Sequence, residues 1–184
     1  MQRWQIPQEL RNHHGWACWR YEQEHGRWSK PPYNPRTGER AEGGDPETWS
    51  DFDTCYQAYT DRERPKDGGR PYDGVSFALN LRWGIVGVDL DHVSDHRRDA
   101  QRIVELLDSY TEVSPGGDGL HVFVKGTLPE GRRRRDWVEL YSRRRFLSVT
   151  GQHVDSTPER VAARSPKLFT VWDEYVQHEM VRHG

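Results

Sequence analysis

The run GIVGVDLD, residues 84–91, constrains the fold more than any other stretch of the chain. Ile85, Val86, Val88 and Leu90 form a strand-length apolar segment of the kind that belongs in a core. The segment carries Asp89 and Asp91 at its end, one residue apart, with His92 next. On a strand, residues i and i+2 face the same way, so both carboxylates point to one side while Val88 and Leu90 point to the other. Two ionised carboxylates side by side repel unless a cation lies between them, and an oxygen-loving divalent ion such as Mg²⁺ or Mn²⁺ is the natural partner. A strand that simply ends at solvent also tolerates two aspartates, so the pair alone leaves both readings open.

The length, 184 residues, fits one domain with a hydrophobic core of useful size. Eight Trp, eight Tyr and five Phe supply packing anchors, which argues for a globular chain despite a charged fraction of 30%. No apolar run approaches the roughly 20 residues of a membrane span, so no membrane partner is expected. The opening MQRWQIPQELRNHHG lacks the apolar core of a signal peptide. Cys18 and Cys55 form no CxxC pair, which argues against a disulfide scaffold or a cysteine zinc site. A reducing, cytoplasmic location is the resulting expectation. The net charge of −2 does not announce a nucleic-acid binder. Its distribution says more, because Arg132, Arg133, Arg134, Arg135, Arg143, Arg144 and Arg145 crowd one segment while acids gather in GERAEGGDPETWSDFD. Such a basic patch can hold polyphosphate.

Residues 16–22 read as a strand and 26–45, dense in Pro and Gly, as a long loop or hairpin. Residues 45–64 read as a helix capped by Asp45 with Pro46 in its first turn. Residues 75–80 and 84–91 look like the two strands of a hairpin. A second helix is expected over 94–110 with Ser94 as its cap. Strands at 111–115 and 120–126 flank a glycine-rich turn, 137–143 and 145–154 form another strand pair, and a helix closes the chain over 167–181. The order predicts an α+β fold rather than a doubly wound parallel sheet.

Two further stretches carry chemistry. In SPGGDGLHVFV (114–124), Gly116, Gly117 and Gly119 allow a close backbone approach to a ligand, and His121 follows at the start of an apolar strand. Exposed amides in such a turn can cradle phosphate, although a plain hairpin turn with a structural histidine has the same appearance. In WVELYSRRRF (137–146), Glu139 lies between Val138 and Leu140 and so faces away from both, with Tyr141 on its own side. It is a candidate third metal ligand or an edge-strand acid. The arginines that follow suit bidentate phosphate binding or a solvated surface. Taken together, three strand-borne acids, a glycine turn with histidine and a basic run match the needs of metal-assisted phosphoryl or nucleotidyl transfer.

The ordered series GVDLD, SPGGDGLH, then VELYS with RFLSVTG resembles the catalytic core of the archaeo-eukaryotic primase superfamily, closest to the primase-polymerase (prim-pol) branch of phages, plasmids and other mobile elements. KPPYNPRTGERA followed by DPETW resembles the N-terminal block of that branch, and the likeness spans about residues 16–151. It implies a primase-type α+β core, with an RRM-like sheet carrying the three acids beside an N-terminal α/β module. The implied divisions fall at about 1–74, 75–155 and 156–184 within a single catalytic domain. Asp89, Asp91 and Glu139 would bind two Mg²⁺ or Mn²⁺ ions. His121 would contact the incoming nucleotide, with Ser114, Gly116, Gly117 and Gly119 beside it and Lys30 and Arg145 as further triphosphate contacts. Arg132 to Arg135, Arg143 and Arg144 would grip a DNA template and primer. The implied reaction is template-directed addition of nucleotides to a 3′-hydroxyl. Relatives commonly carry a helicase on the same chain, so a helicase partner and an excised or standalone domain are both expectations. Two other classes remain in view: a metal-dependent nuclease or phosphohydrolase using His92 and His96 as extra ligands, and a non-catalytic nucleic-acid-binding module of the same fold.

Overall fold

The computed structural model describes residues 1–61 and 65–177. In chain order the elements are α1 (Gln8–Arg11), β1 (Trp16–Trp19), β2 (Glu22–Glu24), β3 (Arg27–Ser29), β4 (Pro32–Tyr33), α2 (Phe52–Thr60), β5 (Gly74–Leu79), β6 (Ile85–Leu90), α3 (Arg97–Leu107), β7 (Thr111–Val113), β8 (Leu120–Lys125), β9 (Arg134–Arg135), β10 (Val138–Tyr141), β11 (Arg145–Val149), β12 (Ala162–Ala163) and α4 (Ser165–Trp172). A π-helical turn, Asp173–Gln177, continues α4. Helices and mainly antiparallel sheets are interspersed, so the fold is α+β. None of the described helices is long and apolar enough to cross a membrane.

The first sheet has the order β11-β5-β1-β4, and the second runs β12-β8-β6-β10-β9. In the second, β7 and the short parallel strand β12 share one edge of β8, since β6 pairs along the whole of the other. The first sheet takes β1 and β4 from the front of the chain and β5 and β11 from much further on, so the two sheets interleave along the sequence.

Period-two alternation explains how the sheets stack. Val86, Val88 and Leu90 of β6, Val122 and Val124 of β8 and Val138 and Leu140 of β10 form one core with Ala100, Ile103 and Leu107 of α3 and Leu168 and Val171 of α4. Ile85 and Phe123, on the opposite face of the second sheet, join the other core with Trp16, Phe77, Leu79 and Leu147 of the first sheet. Gly87 lies at this contact, where an added Cβ would sit 2.8 Å from Leu147 and 3.0 Å from Leu79. A side chain there would push the sheets apart. Asp89, Glu139 and His121 share the inter-sheet face, but beyond the dry contact.

Several sequence expectations change here. Residues 75–80 and 84–91 do not pair: β5 joins the first sheet and β6 the second. The chain crosses between layers through a 3₁₀ turn, Leu81–Trp83, capped by Asn80 and ended by Gly84 at φ +58°. Residues 137–143 and 145–154 part in the same way, with Arg144 at φ +54° between β10 and β11. The helix expected over 45–64 divides into a 3₁₀ turn, Pro46–Thr48, and α2. The break comes at Ser50, whose backbone N–H and C=O exchange hydrogen bonds with Trp16 at 2.7 and 2.9 Å and so leave the helical ladder. Residues 62–64 of that expected helix lie outside the described residues, as do 178–181 of the closing helix. Ser94 does not cap α3, which begins at Arg97; its N–H and hydroxyl both donate to Asp118 at 3.0 Å.

Asp45 caps the 3₁₀ turn with Pro46 at its start, as expected, and Asp51 caps α2. Asp51 accepts from the Thr54 N–H and hydroxyl, each at 2.8 Å, and pairs with Arg36. Burial pushes its carboxyl up, but these three donors outweigh it and hold the pKa down at about 2. Asp51→Ala is expected to destabilise the fold by about 1 kcal/mol, as loss of an N-cap does, in a urea melt at pH 7. Because the native pKa lies below the ordinary 3.8, the cap's contribution is complete above that value and fades as pH falls toward 2.

Candidate active site

The strand register brings the site residues into one row. Across the second sheet, Arg134 pairs with Glu139, Glu139 with Asp89, Asp89 with His121, and His121 with Glu112. Directly opposed residues of antiparallel strands share a face, so these five side chains stand side by side.

His121 is the hinge of the row. It is 3% exposed, with Nε2 3.5 Å from Asp89 Oδ1 and Nδ1 3.6 Å from Glu112 Oε1. Burial pulls its pKa down, but the two carboxylates outweigh burial and raise it to about 9. Burial likewise pushes Asp89 up, while His121, Lys30 and Arg145 bring it below the ordinary range. Asp91 behaves differently. It lies just past β6, exposed, with its backbone N–H donating to the Trp137 carbonyl at 2.8 Å. Partial burial and the charges of Asp89 and Glu139 push its pKa up.

Glu139 is 6% exposed. Tyr141 donates its hydroxyl to Oε2 at 2.8 Å, Arg134 Nε stands 3.4 Å from Oε1, and Arg145 Nη2 stands 3.7 Å from Oε2. The Arg145 guanidinium also covers the Tyr141 ring at 4.9 Å.

The row opens into a cleft of about 470 Å³ between the sheets, walled by Asp89, His121, Lys30, Ser29, Arg144 and Arg145. Lys30 feels the charges of Asp89 and Asp91. Anionic oxygens on one wall therefore face cations on the other, a layout suited to a ligand carrying both metal and phosphate.

Other residues singled out from the sequence stand farther away. Ser114, Gly116, Gly117 and Gly119 form the β7–β8 turn and do not line the cleft. The Ser114 N–H donates to the Gly119 carbonyl at 2.9 Å, and the Gly117 N–H to the Ser114 carbonyl at 3.0 Å. Gly117 turns the chain at φ +84°. Asp118 ties the turn to the segment after Asp91 through Val93 and Ser94. The arginine run divides. Arg134 and Arg145 reach Glu139, whereas Arg135 lies 3.6 Å from Asp136 and Arg143 3.9 Å from Glu130. The backbone carbonyls of Arg132 and Arg133 accept from Trp172 and Leu140. His96 stacks on Trp137 at 4.5 Å.

Glu112 escaped the sequence reading. It is fully buried, yet its carboxylate accepts from the Tyr110 hydroxyl at 2.8 Å and from the Thr150 and Gly151 N–H groups at 2.9 Å each. Thr150 and Gly151 directly follow β11, so one carboxylate joins β7, the neighbour of the His121 strand, to the strand of Arg145. Counting outward from the glycine turn pairs 113 with 120 and 112 with 121, which is the signal that could have found it.

Among the described residues no three His, Cys, Asp or Glu side chains converge closely enough to hold an ion as they stand. Asp89, Asp91 and Glu139 nevertheless fit a hard divalent cation. All are oxygen donors, and the charges of Asp89 and Glu139 add to burial in raising the Asp91 pKa, a repulsion that a cation would relieve.

No family model matches the chain. A relative does: the DNA primase-polymerase of Nitratiruptor phage NrS-1 is 32% identical over 151 residues, covering 76% of this chain. The chain spans about a fifth of that relative's length, 19%. The ordered motifs and this similarity agree: over most of its length the chain is similar to one part of a phage DNA primase-polymerase.

Proposed function

We propose that this domain is a DNA primase-polymerase, a template-directed nucleotidyltransferase that adds nucleotides to a 3′-hydroxyl. The observation that carries the reading is the row Glu139–Asp89–His121, whose Asp89 and His121 line one cleft together with Lys30 and Arg145. In the reaction the 3′-oxygen forms a bond to the α-phosphorus, the α–β phosphoanhydride bond breaks, and pyrophosphate leaves; the hydroxyl proton passes to solvent or a nearby base. Mg²⁺ or Mn²⁺ bound by Asp89, Asp91 and Glu139 would lower the hydroxyl's pKa and neutralise charge developing on the phosphates. His121, held cationic between Asp89 and Glu112, adds positive charge to the cleft wall that meets the phosphates. Lys30 and Arg145 hold the rest of the triphosphate. The remaining arginines, Arg132 to Arg135, Arg143 and Arg144, grip template and primer, and the glycine turn of Ser114 to Gly119 braces the segment that carries Asp91. On this reading the second sheet is the RRM-like sheet of a primase-type core, and the domain serves replication of a mobile element, with a helicase as its natural companion.

A labelled primer on a longer template, given nucleotides and Mg²⁺ or Mn²⁺, tests the reading. Lengthening supports it. Shortening supports a nuclease instead, and binding without either supports a non-catalytic module. The stacking of His96 on Trp137 weighs against the nuclease, which needs that imidazole as a ligand.

Arg145→Ala is expected to raise the nucleotide KM about tenfold or more, since a hydrogen bond to a charged group contributes about 1.5–3 kcal/mol. Steady-state incorporation at varied nucleotide concentration measures it. An unchanged KM would remove Arg145 from the triphosphate site.

A further inference from the structure

The β2–β3 hairpin is a small ribbon with two unlike faces. Its register pairs Glu22 with Ser29, Gln23 with Trp28 and Glu24 with Arg27. Glu22, Glu24, Arg27 and Ser29 therefore share one face, and Gln23 and Trp28 the other. The acidic face turns to the body of the protein. Arg40 Nη2 donates to Glu22 and Glu24 at 2.7 and 2.8 Å, and Arg20 Nε and the Tyr33 hydroxyl each donate to Glu22 at 2.6 Å.

The opposite face carries no acid. Trp28 is 69% exposed there, an apolar surface that water does not favour. The Tyr21 ring stands edge-on to Trp28 at 6.4 Å and to Trp19 at 5.1 Å. The Lys30 ammonium lies 5.6 Å from the Trp19 ring, and Lys30 is also a wall of the cleft. Three rings thus lead from the hairpin to a cation at the candidate site. The carboxylates that would repel a polyanion are neutralised on the back of the ribbon.

We propose that the Gln23–Trp28 face of this hairpin, with Tyr21, binds single-stranded nucleic acid where it leaves the cleft beside Lys30, with Trp28 stacking on an unpaired base. Every base offers a π-face, so an exposed tryptophan recognises a strand without reading its sequence. A duplex hides those faces, which makes a single strand the preferred ligand. The inference rests on the primase-polymerase reading for the cleft as the neighbouring nucleic-acid site.

The test is the anisotropy of a labelled oligothymidylate titrated with the full chain and with Trp28→Ala, Trp28→Phe and Gln23→Glu. Trp28→Ala is expected to weaken binding about 5- to 100-fold, the range that loss of one base–aromatic stack produces. Trp28→Phe keeps most of the affinity, and Gln23→Glu loses affinity by adding a carboxylate to the face. Binding of a metal–nucleotide complex, followed by calorimetry, stays unchanged in all three. Trp28→Ala and Gln23→Glu binding the strand as tightly as wild type would overturn the proposal, and should Trp28→Ala misfold, Gln23→Glu decides alone. The two readings fail separately. A wild type that extends no primer while Trp28→Ala still weakens strand binding removes the polymerase and keeps the hairpin. One that extends primers while both variants bind normally does the reverse.

Discussion

Asp89→Asn is expected to reduce nucleotide incorporation by about 10²- to 10³-fold, the scale set by removing one preorganised electrostatic contact from a transition state. The side chain keeps its size and its place on β6, so what changes is charge. Asp89 is the middle of the row, the cross-strand partner of both Glu139 and His121, and it faces the cleft that Lys30 and Arg145 enter. Without its charge, Asp91 and Glu139 would lose the carboxylate that shares a divalent ion with them on the proposed reading, and His121 loses one of its two anionic partners. Circular dichroism and a thermal melt show whether the variant is folded, and a primed-template assay reads the loss. Incorporation within about tenfold of wild type by a folded variant would take the metal away from this position.

Glu112→Ala is expected to cost about 3–5 kcal/mol of stability, the range found when one partner of a buried charged pair is removed. The carboxylate is fully buried and takes three hydrogen bonds, and each donor would be left unpaired. Glu112→Gln separates folding from positioning. An amide keeps one acceptor but turns an N–H₂ toward donors, so stability falls less. The His121 ring loses the charge at Nδ1. Burial already pulls its pKa down, and with one carboxylate fewer the imidazole should titrate lower than its native value of about 9. In chelator-treated wild type the same balance has a sign. A raised histidine pKa stabilises fully below the ordinary 6.5, and that contribution is lost as pH climbs toward 9. Thermal melts across this window, with the imidazole followed by NMR in Glu112→Gln, check both statements. An unmoved imidazole titration would reduce Glu112 to a structural tie between the sheets.

The site was more legible than the architecture. Alternation fixes which way a strand residue points, so Asp89 and Glu139 could be set opposite their apolar neighbours from sequence alone, and the structure brings them together with His121. Pairing partners are another matter. β5 and β6 are apolar on both faces and close in sequence, so a hairpin satisfied every local rule; only the packing of two layers sends them to different sheets. Arg144 hides a similar layer switch, because a non-glycine residue at positive φ leaves no compositional mark. The break before α2 is invisible for a tertiary reason: Ser50 gives its backbone to Trp16, far away in sequence. The arginine run read as one patch, but β9 and the turn before β11 carry it on separate elements, and Arg134 and Arg145 are the ones that pair with Glu139. Glu112 was within reach and missed, since it needed a residue count across the glycine turn rather than a motif.

On the proposed reading, the acids of β6 and β10 make this domain a metal-dependent nucleotidyltransferase. The most direct measurement is single-turnover addition of one nucleotide to a primed template, comparing wild type with Asp89→Asn, in Mn²⁺ and in chelator. The expected result is extended product from the wild type in Mn²⁺ alone. Extension that survives the chelator or the substitution, or none from the wild type with metal and nucleotide present, would contradict it.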